Sequence, residues 1–295
     1  MKLKFRIASD KNEIGEKSKL AVPFLMYHHI LKNNHSGGTP SSIFESQFDS
    51  QMKYLADNNF NSLAISDLLK LNGNRRDLYP QKLVVITFDD GYENNYSYAF
   101  PILKRYQLMA TFFVIVDRID SPDYLTWKQI KEMFKAGMDI QSHTFNHQPL
   151  ESLSRLSIKH ELQASKIILE KKLRKAVNFL SYPHGSYNED IIEVAKDVGY
   201  LACCTSKAGF FETRGDPFQM SRIDIRRTYN LSAFKKIVHK DRFLLKKIIF
   251  ITGLKKKIQT IIGMNNWNWL YRKRWYTNEE RNLLSTISDQ QLNTH

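Results

Sequence analysis

The sequence predicts an α/β protein: an irregular (β/α) barrel followed by a basic, mainly helical C-terminal extension. Short apolar segments alternate with amphipathic helical segments from residue 22 to about residue 240. Six or more such repeats indicate parallel strands joined by crossover helices, and their number favours a barrel over an open sheet. The second observation is the formal net charge of +14, most of which lies near the C-terminus.

Strands are predicted where short segments rich in apolar residues stand between helical patterns. These segments cover residues 22–27, 62–65, 83–88, 110–116, 138–142, 177–181, 200–204 and 222–225. Helices are predicted where apolar residues recur three or four positions apart, in one case behind a threonine that can cap the helix. The helices cover residues 45–58, 126–135, 154–173 and 188–197. A chain of 295 residues can bury one large core of this kind.

Basic residues separate the C-terminal extension from the rest of the chain. Residues 235–274 contain twelve Lys or Arg and one acidic residue, Asp241, so this stretch contributes +11 and the remainder is close to neutral. This distribution predicts three regions: an N-terminal segment 1–21, a main domain 22–230, and a basic, aromatic-rich helical extension 231–295.

The two cysteines bear on the core of the protein, and the hydropathy of the chain bears on its cellular location. Cys203 and Cys204 are adjacent in a predicted buried strand, and we expect them to be small core residues. The first 19 residues contain no apolar run of signal-peptide length, and no stretch of 18 apolar residues occurs. We therefore expect a cytoplasmic protein without a transmembrane segment, attached peripherally to a membrane if its basic extension binds there.

An aspartate pair carries the strongest chemical signal. Asp89 and Asp90 follow the apolar strand 83–88, within the run Thr87-Phe88-Asp89-Asp90-Gly91. Two adjacent carboxylates at a strand end repel each other unless a cation or a proton compensates their charge. Alone, such a run is equally typical of a turn or a helix cap, so its interpretation depends on the other motifs.

A histidine pair provides the second signal. His143 and His147 lie four residues apart after the predicted strand 138–142, a spacing that lets both imidazoles reach one cation. With a strand-end aspartate they form a ligand set that leaves coordination positions for water and substrate, as catalytic metal sites do. A structural zinc site would more often use several cysteines.

Two further motifs stand at predicted strand ends. One is a turn after strand 177–181, formed by Tyr182, Pro183, His184 and Gly185. Alone it is typical of an ordinary strand-to-helix connection, but a rigid turn can also aim a backbone N–H at an oxyanion. The other is the run Met26-Tyr27-His28-His29 after the first strand. Because the carboxyl ends of parallel barrel strands share one face, we expect all four motifs to meet there.

Together, residues 87–91, the histidine pair and the 182–185 turn resemble the polysaccharide deacetylase family, also called the NodB-homology or carbohydrate esterase family 4 domain. The resemblance covers roughly residues 22–230, which become the expected catalytic domain. It implies a distorted (β/α) barrel and hydrolysis of N-acetyl groups from amino-sugar glycans. It also implies that Asp89 is the catalytic base and that Asp90, His143 and His147 hold one divalent ion, zinc or a similar ion such as cobalt or nickel.

The orientation of the base departs from the family pattern. Many members have an arginine at the start of the third motif, where this chain has Ser181. Another group must therefore orient Asp89, and Arg222 and Asp224 on a late predicted strand are the candidates.

The general acid is the second departure. The late Leu-x-His motif of the family has no clean counterpart, although Ile237-Val238-His239 imitates it. Tyr27-His28 instead resembles the poly-N-acetylglucosamine deacetylase subgroup, in which this histidine is the general acid. We therefore expect His28 in that role; His239, or a purely structural pair of His28 and His29, are the alternatives.

The predicted function is a metal-dependent hydrolytic N-deacetylase whose partner is an N-acetylated glycan, either a bacterial-type polysaccharide or a lipid-linked glycan. One alternative is a catalytically weak metal- or glycan-binding relative. Another is a basic nucleic-acid-binding protein, because the tail mixes Trp267, Trp269, Tyr271 and Trp275 with basic residues. No recognised nucleic-acid module is present, so nucleic acid is the less favoured partner.

Residues 244–275 are also expected to contact an anionic membrane peripherally. Residues 244–262 contain ten Leu, Ile or Phe together with five Lys, and a Trp-rich stretch follows. This composition is typical of segments that lie on anionic membrane surfaces. The alternative is a packed helix with a solvated basic face, because Lys247 and Lys255 interrupt the apolar face.

Overall fold

Seven parallel strands close into a barrel in the computed structural model, which describes residues 20–33, 35, 37–70 and 82–262. The strands are β1 (Ala21–Val22), β2 (Phe24–Tyr27), β3 (Ile30–Leu31), β4 (Ile43–Phe44), β5 (Asn61–Ser62), β6 (Leu83–Phe88), β7 (Thr111–Val114), β8 (Asp139–Ser142), β9 (Phe179–Ser181), β10 (Ala202–Ala208), β11 (Phe211–Glu212) and β12 (Met220–Asp224). The barrel order is β2, β12, β10, β9, β8, β7 and β6, and β6 pairs with β2 again. The predicted irregular (β/α) barrel is therefore confirmed.

Side chains alternate between the inside and the outside of this barrel, as the pleat of a strand requires. One buried cluster is formed mainly by inward side chains of the barrel strands, including Phe24, Val85, Phe113, Phe179 and Met220. The residues that follow them along the strands pack in a larger cluster shared with the helices. A residue two or four positions further along the same strand also faces the inside of the barrel. Asp89 lies four positions after Val85, Ser181 two after Phe179, and Arg222 two after Met220.

Eight helices are described along the chain. They are α1 (Glu45–Asp57), α2 (Ile65–Lys70), α3 (Phe100–Arg105), α4 (Trp127–Lys135), α5 (Arg155–Leu173), α6 (Glu189–Val198), α7 (Leu231–Val238) and α8 (Arg242–Ile262). The four predicted helices are found as α1, α4, α5 and α6. The last three are capped by Thr126, Ser154 and Asn188. The side chain of each accepts the backbone N–H of the residue three positions later in the chain.

Two predicted strands are wrong in part. In segment 62–65 only the beginning pairs with the barrel, as part of β5, and Ile65 already begins α2. Ile65 and Leu68 are both buried, so helical spacing rather than strand alternation places this segment against the core. Segment 22–27 is interrupted at Pro23, which has no N–H to donate. Its first part pairs antiparallel with β11 as β1, and its second part enters the barrel as β2.

The C-terminal extension is helical as far as it is described. α8 contacts both α7 and β10. Across residues 20–33, 35, 37–70 and 82–262, no helix is long and apolar enough to cross a membrane. The predicted N-terminal segment up to residue 19 and the Trp-rich stretch from residue 263 onward lie outside the described residues.

Candidate active site

Asp89 and Asp90 lie where β6 ends. The Asp89 N–H donates to the Tyr27 carbonyl at 3.0 Å, which continues the pairing of β6 with β2. Asp90 and Gly91 both have positive φ, 73° and 75°, so the chain turns and brings the Asp90 carboxylate to the histidine pair. A Cβ at Gly91 would lie 3.0 Å from the nearest atom of Val114. Both the backbone conformation at position 91 and the close approach of Val114 therefore favour glycine there.

Arg222 holds Asp89 from β12. Its guanidinium donates to both carboxylate oxygens, with Nη1–Oδ1 and Nη2–Oδ2 distances of 2.7 Å each, and both side chains are buried. Ser181 donates to Oδ2 at 3.0 Å and accepts from Arg222 at 2.8 Å. Asp89 is thus oriented jointly by a serine from β9 and an arginine from β12. Asp224 does not contact Asp89: it accepts from Ser41 and Arg226 instead.

Burial and charge act against each other at Asp89. Burial raises the pKa of its carboxyl, but the charges of Arg222 and His143 and the hydrogen bonds from Arg222 outweigh burial and hold the pKa below its ordinary value. Asp89 is therefore ionised at neutral pH.

Asp90, His143 and His147 converge at the end of the barrel. Asp90 Oδ1 lies 3.3 Å from His143 Nε2 and 3.4 Å from His147 Nε2, and the two Nε2 atoms are 3.2 Å apart. Ligand atoms at about 2.0–2.1 Å from a tetrahedral zinc ion would be separated by about 3.3–3.4 Å. Both the separations and the donor types therefore fit a small divalent cation, and this is the one such cluster found among the described residues.

The charges in this cluster favour a bound cation. Burial raises the pKa of Asp90, but hydrogen bonding from His143 and the charges of the nearby histidines lower it well below its ordinary value. Burial lowers the pKa of His143, but the charges of Asp89 and Asp90 raise it above its ordinary value. Burial and the charge of His143 lower the pKa of His147 to about 4, which leaves a neutral imidazole with a free lone pair at neutral pH.

A second layer of contacts orients the histidines. His143 Nδ1 donates to the Ser181 carbonyl at 2.8 Å, so in the neutral ring it is Nε2 that carries the lone pair and points to the cluster. Glu161 of α5 accepts the N–H groups of Phe145 and Asn146 at 3.1 and 2.9 Å. Glu161 therefore fixes the loop between the two histidines. Glu161 was not predicted as a site residue, and the signal that could have found it is a glutamate on the buried face of α5.

The 182–185 turn lies beside the histidines. His184 has φ of 57°, and its ring centroid is 4.6 Å from that of His147. Among the described residues, no acceptor is found for the His184 N–H. The Tyr182 side chain is buried against Tyr187 and does not line the opening. A Cβ at Gly185 would lie 2.6 Å from Ser206, so this close turn requires glycine.

His28 and His29 have different surroundings. His29 is held by Asn94 at its Nδ1 (3.0 Å) and stacks on Tyr92 at 3.5 Å between ring centroids. Burial lowers its pKa to about 4. His28 is half-buried, its Nδ1 has no hydrogen-bond partner among the described residues, and its charge helps to lower the pKa values of both Asp89 and Asp90.

Asn95 holds the main chain at His28, because its side-chain amide donates to the His28 carbonyl at 2.7 Å. It begins a π-helix (Asn95–Ala99) four residues after Gly91, the last residue of the aspartate motif. π-Helical turns are frequent at functional sites, and this one was not predicted from the sequence.

His239 lies elsewhere. Its Nε2 contacts the Tyr54 hydroxyl of α1 at 2.9 Å, and its ring packs against Phe60 at 5.3 Å. His239, at the end of α7, therefore packs between helices on the outside of the barrel.

Comparisons with known proteins were made by sequence and by fold. The family model described as polysaccharide deacetylase matches residues 77–203. YxkH of Bacillus subtilis (strain 168) is 33% identical over 214 residues, which are 72% of this chain and 74% of YxkH. The poly-beta-1,6-N-acetyl-D-glucosamine N-deacetylase of Staphylococcus aureus (strain MSSA476) is 31% identical over 214 residues, 64% of this chain and 72% of that protein. The solved Streptococcus pyogenes deacetylase PplD, in complex with acetate, matches with a TM-score of 0.70 at 29% identity, covering 75% of this chain and 99% of that chain.

Proposed function

The chain belongs to the polysaccharide deacetylase family, hydrolases of carbon–nitrogen bonds other than peptide bonds, and we propose that it is a metal-dependent N-deacetylase of amino-sugar glycans. The observation that carries this proposal is a buried, ionised Asp89 beside the triangle of Asp90, His143 and His147. We assign the activity to a catalytic domain 22–230, with 231–295 as the extension.

Asp90, His143 and His147 are the residues that would hold the ion, with zinc as the first candidate and cobalt or nickel as alternatives. When bound, such an ion polarises a carbonyl and lowers the pKa of water from about 15.7 toward ~7. The separations of the three ligand atoms and the orientation of His143 by Ser181 support this assignment.

Asp89 is proposed as the general base. Arg222 fixes both of its oxygens and keeps it ionised, so it is ready to take a proton from an attacking water. A carboxylate of low pKa is a weak base, and this role would require water acidified by an ion that Asp90, His143 and His147 hold.

His184 and His28 are proposed for the two remaining roles, which are to stabilise the oxyanion and to protonate the leaving amine. The unbonded His184 N–H can donate to the oxyanion that forms on the acetyl carbonyl. His28, directly after β2, can give a proton to the departing sugar amine, which is otherwise a poor leaving group. Attack by water needs no covalent intermediate with the protein.

The proposed substrate is an N-acetylated amino-sugar glycan, either a bacterial-type polysaccharide or a lipid-linked glycan. The Staphylococcus aureus relative is named for poly-beta-1,6-N-acetyl-D-glucosamine, so oligomers of that polymer are the first substrates to test. The experiment measures acetate release by the metal-loaded full chain from these oligomers, from other N-acetylated glycans and from lipid-linked amino sugars, with Asp89→Asn as the inactive control. No acetate release from any of them would favour a metal- or glycan-binding relative and contradict the proposal.

A further inference from the structure

The outward face of α8 is apolar although the helix is already packed on the barrel. Leu244, Leu245 and Ile248 turn inward and join the larger core cluster. On the opposite side Phe243 is 82% exposed and Phe250 is 71% exposed. These two residues are seven positions apart, so they lie on one face of the helix. Leu254, four positions further and 49% exposed, continues the same apolar stripe.

Cationic side chains border the stripe. Lys246 and Lys247 are exposed, and at 3.6 residues per turn they fall about 40° to one side and about 60° to the other side of Phe250. From residue 242 to residue 262 the sequence contains no Asp or Glu. Single exposed apolar residues are ordinary on a protein surface. Three exposed apolar side chains on one helix face, with two lysines on the turn between Phe243 and Phe250 and no acidic residue, mark an interaction surface.

We propose that the stripe of Phe243, Phe250 and Leu254 docks α8 onto an anionic lipid bilayer. The three apolar side chains enter the boundary between headgroups and acyl chains, and Lys246 and Lys247 contact the anionic headgroups. This surface is separate from the candidate active site, and the inference does not depend on the proposed reaction.

The charge distribution favours a lipid surface over two other partners for this face, a second copy of α8 and the segment that follows the helix. Two copies of α8 packed face to face would bring their lysines together without acidic residues to compensate them. The segment that follows the helix is no better suited, because residues 263–275 contain Arg272, Lys273 and Arg274 and no acidic residue. An anionic bilayer satisfies both the apolar stripe and the cations.

The test is co-sedimentation of the full chain with vesicles of phosphatidylcholine alone and of phosphatidylcholine mixed with phosphatidylglycerol. We expect binding to the anionic vesicles, weakened by salt because surface charges are screened. Phe243→Ser with Phe250→Ser should weaken this binding about tenfold or more, since two buried phenylalanines are lost. Lys246→Gln and Lys247→Gln should each weaken it about fivefold.

Matched controls come from α5. Leu156 and Ile167 are 82% and 53% exposed, and their double serine variant should bind vesicles like the wild type, as should Lys159→Gln with Lys171→Gln. All variants should keep the wild-type Tm, because the altered side chains are exposed. The proposal is overturned if anionic vesicles do not bind the wild type, if phosphatidylcholine alone binds equally well, or if the phenylalanine variant binds unchanged. A dimer in solution that this variant dissociates, without vesicle binding, would identify a second copy as the occupant and also overturn it.

Discussion

The position of the candidate base depends on one buried cation. An ionised carboxylate out of water is costly unless it is paired and hydrogen-bonded, and Arg222 pairs with Asp89 through two bonds of 2.7 Å. The sequence could name Arg222 only as one of two candidates. β12 and β6 are separated in the barrel by β2, so their approach depends on how the whole barrel closes, which no local pattern encodes.

Removal of Arg222 should therefore destabilise the fold as well as the site. Arg222→Met leaves Asp89 buried and unpaired, and we expect the free energy of unfolding to fall by about 3–5 kcal/mol. Adding Asp89→Asn should restore much of this stability without restoring activity. Arg155, a surface arginine with exposed acidic partners, is the control: Arg155→Met should change stability by less than about 1 kcal/mol. Denaturant unfolding measures all four proteins, and equal stability of the two single arginine variants would show that the buried pair does not hold the site.

Single substitutions should also distinguish His28 from His239 as the general acid. His28→Gln should lower kcat by about 10²–10⁴-fold, leave metal content unchanged and remove the alkaline limb of the pH profile, because a general acid must be protonated to act. His239→Gln should leave kcat unchanged, since His239 contacts Tyr54 and Phe60. His29→Gln serves as the neighbouring control. Loss of activity in the His239 variant alone would contradict the role given to His28.

At the scale of elements, the loop after β8 is shaped by α5. Thr144 and His147 both have φ of 67°, a conformation that non-glycine residues adopt only when their surroundings impose it. Glu161 imposes it by accepting two successive backbone N–H groups of the loop. The spacing of His143 and His147, taken together with the strand-end aspartates, predicted a metal site, but the helix that holds the loop could not be inferred from these motifs.

Glu161→Ala should therefore weaken metal binding although Glu161 is no ligand. We expect the affinity for zinc to fall about 10–100-fold, the range typical of residues that orient metal ligands. Glu170→Ala is the matched control, because Glu170 lies on the same helix and also accepts a backbone N–H, that of Val177. Competitive titration against a zinc chelator gives both affinities. Equal affinities in the two variants would rule out a positioning role for Glu161.

Elements with local start signals were the ones predicted well. α4, α5 and α6 each begin after a capping side chain that is visible in the sequence. The predicted strand 62–65 extended into the first residue of α2, because four residues are too few to separate helical from strand periodicity. The antiparallel pair of β1 and β11 was missed because it joins segments almost 190 residues apart, and such pairing is decided by tertiary contacts.

At the scale of the whole molecule, closure of the barrel brings the separate motifs together. Strand alternation sets Asp89, Ser181 and Arg222 on the inner face, and parallel strands put their carboxyl ends on one side. This is why four motifs spread over about 160 residues could be expected to share a site before their contacts were known. The closing pair, β2 with β6, sets Tyr27 beside Phe88, so His28 follows at the same end as Asp89.

The most direct test of the account separates the base from the ligands. Metal content and kcat are measured together for Asp89→Asn and Asp90→Asn after chelation and reloading with zinc. We expect the Asp89 variant to bind one equivalent of metal and to lose at least about 10²-fold in kcat, whereas the Asp90 variant should lose the metal itself. Loss of metal in the Asp89 variant, or full activity of a metal-free Asp90 variant, would contradict this expectation.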